Sequence, residues 1–489
     1  MRVSESITAA IRRHLERVLG ETDWQSPEES AKRGTALRDE VPLSSHATWE
    51  EPENRPDPIE LLRSQGKTRV RQLLPLRYER MSVSAFTFYR GGALVMASDL
   101  SGTPSTGIKV QACGDAHISN FGLFLSPERR TVFDINDFDE TAVGPWEWDI
   151  KRLAASVEIC GRDNGFAKKE RKTAVRECVR GYREAMLGFA EMGNLDVWYG
   201  HVDVDTMKDL VKTDKSTKKA AAKLLKKSKN KNSARAVRKF TEVVDGKLRI
   251  ISDPPLVVPL RDLAANLDGT PSTTNLERMF ENEGTERLIA AILAEYKRTL
   301  PPDRRRLVSS YTPVDMAHKV VGVGSVGTRA WIIVLRGANE DDSLVLQVKE
   351  AQESVLEQFV GKSKAHCHGE RVVWGQRAMQ TASDPLLGWC RLPGLDGKIK
   401  DYYVRQLWDG KGSLDLSLLD PQQLAMFART CGWTLAHAHA RTGDRFAIAA
   451  YLGKDDEFDR ALVKFARAYA KQNEADYKRF MEARKAGEL

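Results

Sequence analysis

Gly114-Asp-Ala-His-Ile-Ser-Asn120, followed by Thr131-Val-Phe-Asp-Ile-Asn-Asp-Phe-Asp139, is the stretch on which the reading of this chain turns. Its first part places Asp115 and Asn120 five residues apart, a carboxylate and an amide on one short loop. Its second part is strand-like, with Val, Phe and Ile between the carboxylates of Asp134, Asp137 and Asp139. Three carboxylates so close repel one another unless a cation lies among them, so a metal site is the economical explanation. Oxygen ligands of this kind suit a hard cation such as Mg²⁺. The competing reading is an acidic loop built from Asx turns at a strand end.

Two hundred residues later the pattern GVGSVG places Gly322, Gly324 and Gly327 at GxGxxG spacing. Two nucleotide-binding architectures share that spacing, and the residues after the last glycine separate them. A dinucleotide-binding loop opens a helix. Here Thr328-Arg-Ala-Trp-Ile-Ile-Val-Leu335 is β-forming and ends at a polar turn. A hairpin with a glycine loop is the arrangement that covers nucleotide phosphates in protein kinases. The next strand, Ser343-Leu-Val-Leu-Gln-Val-Lys349, ends on a lysine that requires an anionic partner, and nucleotide phosphates plus a helix carboxylate would supply it. Glu370, in the helical stretch GERVVWGQRAMQ, is the expected carboxylate, with Glu353 and Glu357 as nearer alternatives. The kinase catalytic loop also has the Asp-to-Asn interval of Asp115 and Asn120. In that reading Asp115 accepts the proton of a hydroxyl and Asn120 holds the metal. The triplet His366-Cys-His368 has no complementary ligand pair nearby and reads as surface or cap residues.

GDAHISNFG and FDINDFDE together resemble an uncharacterised bacterial family, the domain of unknown function numbered twenty-two fifty-two; FYRGG at 88–92 and HAHARTGD at 437–444 fit it too. The resemblance covers most of the chain from about Leu61 onward. The same loop is similar to the HGDxHxxN loop of aminoglycoside phosphotransferases and choline-kinase-like enzymes. It implies that Asp137 is the metal ligand, with Asp134 and Asp139 in reserve, and that Asp149, twelve residues on, is a structural Asp. One departure is that Cys113 stands where those enzymes have the first His, which bears on loop rigidity more than on chemistry. The larger departure is order. In kinases the glycine loop and lysine come first; here the catalytic and metal parts at 115–149 precede the glycine loop, lysine and hinge at 322–412. A circular permutation reconciles the two. The helix over 421–441, ending LAHAHA, would then precede Gly114 in space.

The expectation is therefore an α+β, two-lobed, kinase-like fold with permuted motif order. Its parts are a helical extension (1–85), catalytic and metal loops (86–200), a basic helical insertion (201–315), a β-rich nucleotide lobe (316–413) and C-terminal helices (414–489). The expected activity is phosphoryl transfer from MgATP to a small hydroxyl-bearing acceptor. A nucleotide-binding pseudoenzyme and a nucleotidyl (AMP) transferase are the alternatives.

The 489 residues are 41% hydrophobic and 29% charged, an ordinary globular balance that excludes a disordered or collagenous chain. No apolar run approaches the roughly 20 residues that cross a bilayer. The opening MRVSESITAAIRRHLERVLGE reads as an amphipathic helix rather than a signal peptide. Six cysteines without a CxxC pair suit reduced thiols. The expected location is the cytoplasm, with no membrane partner. The net charge of +8 is concentrated. Between Lys208 and Lys239 there are eleven Lys and two Arg against Asp209 and Asp214, so the remainder is net negative. That segment reads as a solvated helix or as a docking surface for an anion or nucleic acid. No aromatics interleave with its lysines, which argues against base stacking.

Overall fold

The computed structural model describes residues 25–203, 233–244, 247–265, 274–320, 326–339, 342–393, 398–407, 412 and 414–489. Gly322 and Gly324, the hinge residues 409–411 and the basic stretch 208–232 fall outside them.

Helices dominate both ends of the described residues, and the sheets lie between them. Proline and capping residues start several of them. α1 (Pro27–Glu40) opens on a Ser26–Glu29 capping box with Pro at the first position. α2 (Pro58–Gly66), α3 (Leu74–Met81), α4 (Ala85–Gly91) and α5 (Ala93–Ser101) follow. Then come β1 (Lys109–Ala112), β2 (Phe121–Leu125), β3 (Thr131–Ile135) and β4 (Ala142–Pro145). α6 (Trp146–Asp163) is buried through almost its whole length and is covered by α7 (Lys168–Glu191). After the short strands β5 (Val202–Asp203), β6 (Thr241–Val244), β7 (Lys247–Ile250) and β8 (Val257–Pro259), α8 (Thr274–Arg298) leads into the second sheet region. That region comprises β9 (Thr312–Lys319), β10 (Ala330–Arg336), β11 (Ser343–Ala351), α9 (His368–Met379), β12 (Gly388–Pro393) and β13 (Ile399–Gln406). The chain ends in α10 (Pro421–Thr442), α11 (Arg445–Leu452) and α12 (Glu457–Lys485). The class is mixed α+β, with small sheets.

The largest sheet has the order β12-β13-β11-β10-β9-β8, every neighbour antiparallel. Its central strands are rich in Val, Ile and Leu and buried on both faces, so they lack polar alternation. Ile289 and Tyr296 of α8 cover one face, and Phe240 with Val237 covers the other. The larger hydrophobic core joins α4–α7, β1–β4 and α10–α12, and it reaches Val355, Val372 and Tyr403 at the sheet region. A satellite core ties Ile59, Leu62, Tyr78, Met81 and Phe88 to Phe480 near the end of α12, so the first described helices close on the last.

The helical core is set by a close crossing of α7 and α10. A Cβ at Gly432 would lie 2.1 Å from the Cys178 carbonyl oxygen, and one at Gly181 would lie 2.4 Å from that of Arg429. Only glycine lets the two backbones approach so closely. Gly432→Ala is expected to destabilise the protein by about 1–3 kcal/mol through overpacking. Urea unfolding of variant and wild type measures it; an unchanged midpoint would mean the crossing relaxes freely.

Candidate functional site

A cavity of about 400 Å³ opens between the helical core and the large sheet. Its wall brings together distant pieces of chain: α2 with the residues after it, α4–α5, the loops 115–120 and 137–140, Thr328 ahead of β10, and the end of β11 with the residues beyond it. Asp115, Asn120, Asp137 and Asp139 all line it, together with Arg69, Arg90, His117 and Glu140.

The loop 113–120 is held from behind. Asp149, in the first turn of α6, accepts the backbone N–H groups of Cys113 at 2.5 Å and Gly114 at 2.9 Å. His439 of α10 lies against the same carboxylate, Nε2 to Oδ2 at 3.2 Å, with its Nδ1 at 2.8 Å from the Tyr182 hydroxyl. Gly114 takes φ +79°, and a Cβ there would lie 2.2 Å from the Glu140 carbonyl oxygen. A side chain would therefore push the two loops apart. Cys113 is buried, and its backbone N–H is held by Asp149.

Asp115 Oδ1 receives both Nε of Arg152 at 2.8 Å and its Nη2 at 2.5 Å. Arg152 is itself buried, sits over the Tyr89 ring and donates to the Tyr89 carbonyl. Burial alone would weaken its charge, but Asp115 holds its pKa above the ordinary value. Asp115 Oδ2 faces His117 Nε2 at 3.9 Å. Burial, then the neighbouring Arg90 and Arg152, push His117 far below the usual histidine range, so it is a neutral group. Asn120 donates its amide to the Asp115 carbonyl at 2.7 Å, which leaves the side-chain oxygen as the atom available to a cation.

Lys349, on β11, meets Asp139 directly across a sequence separation of 210 residues. The Tyr403 hydroxyl donates to the other Asp139 oxygen at 2.8 Å. Burial opposes both charges, yet each partner secures the other. Asp139 is held below the usual carboxylate range and Lys349 above the usual lysine range. This corrects the expected pairing. Glu370 lies in the first turn of α9 and accepts from the His366 backbone at 2.6 Å, with His366 Nδ1 at 2.9 Å. Glu357 accepts the N–H groups of Ser354 and Ser363, while Glu353 lines the cavity. None of the three is the partner of Lys349. Cys367 caps α9 within the HCH triplet, which belongs to that turn.

Asp134 is also displaced from its expected place. It is buried on β3, outside the cavity lining, with its own neighbour Ile135 donating to it. Burial raises its pKa to about 7. A carboxyl whose folded pKa is raised contributes stability below its ordinary value near 3.8 and loses it as pH rises through about 7. Between pH 5 and 8, Asp134→Asn should therefore gain on wild type by about 1 kcal/mol or more. Unfolding measured at both pH values tests this; parallel curves would contradict it.

Of the glycine loop, only Gly327 is described, with φ +90°. The strands it joins, β9 and β10, do form an antiparallel hairpin, with Trp331 opposite His318. Val70 N–H donates to the Gly327 carbonyl at 2.7 Å and Arg69 Nη1 to that of Val326 at 2.6 Å. Gly412, the one described residue of the expected hinge, bridges to Leu123.

Sequence reasoning missed Arg152, Arg90, Arg69, Glu140 and Tyr403. Arg90 stands in FYRGG and His439 in HAHARTGD, so two of the motif segments carried the signal, while the roles of their residues were unassigned. Among the described residues no group of three or more His, Cys, Asp or Glu could hold a metal ion. Asp137, Asp139 and Asn120 all line the cavity, and their oxygens could serve a hard cation only together with ligands from a bound molecule. None of the described helices is long and apolar enough to cross a membrane.

No curated protein and no solved structure matches the chain at a significant level. One family model does, over residues 69–483, from the first arginine of the cavity wall almost to the end of α12. The chain belongs to DUF2252, a family described as an uncharacterized protein conserved in bacteria.

Proposed function

We propose that the cavity is the active site of an ATP-dependent phosphotransferase with a circularly permuted, kinase-like arrangement. The observation that carries this reading is the convergence of Asp115, Asn120, Asp137 and Asp139 on one cavity, with Lys349 paired to Asp139 from the far end of the sequence. Protein kinases place the nucleotide lysine on the third strand, after a glycine-loop hairpin. β9, β10 and β11 have that form, with Lys349 on the third. The permuted order requires α10 to come before the catalytic loop in space. In support, the Gln111 N–H donates to Thr442 Oγ1 at the end of α10, just ahead of Cys113.

On this reading Lys349 holds the nucleotide phosphates and Gly327 belongs to their cover; Asp137, Asn120 and Asp139 would hold Mg²⁺, which would supply charge neutralisation at the phosphates. The acceptor hydroxyl oxygen forms a bond to the γ-phosphorus, and the bond from that phosphorus to the β,γ-bridging oxygen breaks. ADP leaves with the electron pair, and the hydroxyl proton passes to Asp115. Arg152 fixes Asp115 through Oδ1, so Oδ2 is the oxygen left to receive the proton.

Label decides among the alternatives. With γ-labelled ATP and a bacterial small-molecule extract, label is expected on an acceptor or as free phosphate, and α-label is expected only in ADP. Transfer of α-label would indicate nucleotidyl transfer. Binding without any consumption would indicate a pseudoenzyme.

A further inference from the structure

Beyond the acid cluster, the cavity has a cationic wall that the transfer chemistry does not use. Arg90, on α4, and Arg69, after α2, line it beside Ser64, Gln65 and Thr68. Among the described residues the buried Arg90 Nε has no hydrogen-bond partner, nor has Nδ1 of His117, which is 3% exposed and also in the lining. Behind Gln65 and Gly91, Arg77 is fully buried. Its Nη2 donates to the neutral Gln65 amide oxygen and the Gly91 carbonyl, and among the described residues its Nε and Nη1 have no partner. Arg69 and Arg90 thus share the cavity wall with Arg77 buried behind it, and the polar contacts of Arg77 are to uncharged oxygens. Three carboxylates of the lining are committed: Asp115 to Arg152, Asp139 to Lys349 and Glu350 to Arg329. Asp137, Glu140 and Glu353 are the others: Asp137, with Asp115, supports the charge of Arg90, while Glu140 accepts the Val355 N–H and burial raises its pKa to about 7. Buried cations with unfilled donors are costly unless an anion completes them. Planar guanidinium forks suit phosphate and carboxylate groups. The cavity size fits a small molecule.

We propose that this end of the cavity is an anion subsite, built on Arg90 with Arg69, that binds a phosphate or carboxylate group carried by the acceptor. The proposal rests on the phosphotransferase reading for the word acceptor, although not for the anion site itself.

The probes are inorganic phosphate and succinate, titrated calorimetrically into the full-length protein, free and with saturating MgADP. Wild type should bind at least one of them at millimolar concentration in both states, and the tighter probe identifies the anion as phosphate or carboxylate. Arg90→Gln should weaken that binding about tenfold or more, the scale of lost charge-assisted hydrogen bonds. Arg90→Lys should stay within about threefold, since the charge remains. Gln65→Glu keeps an acceptor for Arg77, so it should fold, and its added negative charge should weaken the anion by a similar factor. Absence of binding to wild type overturns the proposal. So does equal binding by wild type, Arg90→Gln and Gln65→Glu. So too does a loss in Arg90→Gln confined to MgATP, which would place Arg90 on the donor. If MgADP fails to bind, the phosphotransferase reading falls, and the titrations of the free protein still decide the anion site.

Discussion

If the cavity is the proposed phosphotransfer site, Asp115→Asn is expected to lower turnover by a factor on the order of 10² or more, the usual scale of a lost general base, while MgATP affinity stays within about threefold. The separation follows from where Asp115 sits. It shares the cavity with Asp137 and Asp139, but its Oδ1 is committed to Arg152 and its backbone carbonyl to Asn120. It contributes to the donor side mainly by holding that frame, which an Asn oxygen continues to accept. The substitution also leaves Arg152 without its carboxylate, so the variant should unfold more readily, and turnover is measured below its midpoint. ATP consumption beside calorimetric nucleotide binding provides both readings. Equal losses of binding and turnover would remove Asp115 from the acceptor side.

The second large effect is on stability and needs no nucleotide. Lys349→Met removes the cation that meets Asp139 and leaves the Tyr403 hydroxyl and the more distant charge of Arg405 to support it inside a wall that already disfavours its charge. Breaking one side of a buried pair costs about 3–5 kcal/mol, and the lower end applies here because the Asp139 side chain is 24% exposed. Adding Asp139→Asn should restore most of the loss, since the stranded charge disappears with it. pH supplies a sign test. In wild type the depressed Asp139 gives stability above its ordinary value near 3.8 and loses it as pH falls through the lower folded value. In Lys349→Met, burial without the lysine raises that carboxyl, so stability instead falls as pH rises above about 4. The gap between wild type and Lys349→Met should therefore widen from pH 4 to 7. Additive costs in the double variant would show that the two side chains do not depend on each other.

Much of the site was legible because chemistry-bearing residues cluster locally. Asp115 with Asn120, and Asp137 with Asp139, lie on short loops, and neighbours in sequence remain neighbours in the fold. The hairpin and the lysine strand were legible from β-branched runs between turns. Strand ends and helix starts were not. α9 was expected as a helix, yet it begins at His368, so Glu370 falls in its first turn and is used up by His366. Asp134 shares the DINDFD segment, but it lies within β3, whereas Asp137 and Asp139 follow on the loop beyond the end of that strand, and it is the loop that lines the cavity. The cationic wall was invisible for another reason. Arg69 and Arg90 line it, and Arg77 backs it, on segments whose hydrophobic residues pack on α12, and the Phe88–Phe480 contact there joins residues from opposite ends of the chain.

The most direct test is the Mg²⁺ dependence of ATP binding, read by calorimetry on wild type, Asp137→Asn and Lys349→Ala. An oxygen-liganded cation that neutralises phosphates should tighten ATP binding to wild type about tenfold or more. Asp137→Asn should abolish most of that Mg²⁺ effect, and Lys349→Ala should weaken ATP with or without the metal. ATP that fails to bind wild type, or that binds all three proteins equally and without regard to Mg²⁺, would contradict a nucleotide site built on Asp137 and Lys349.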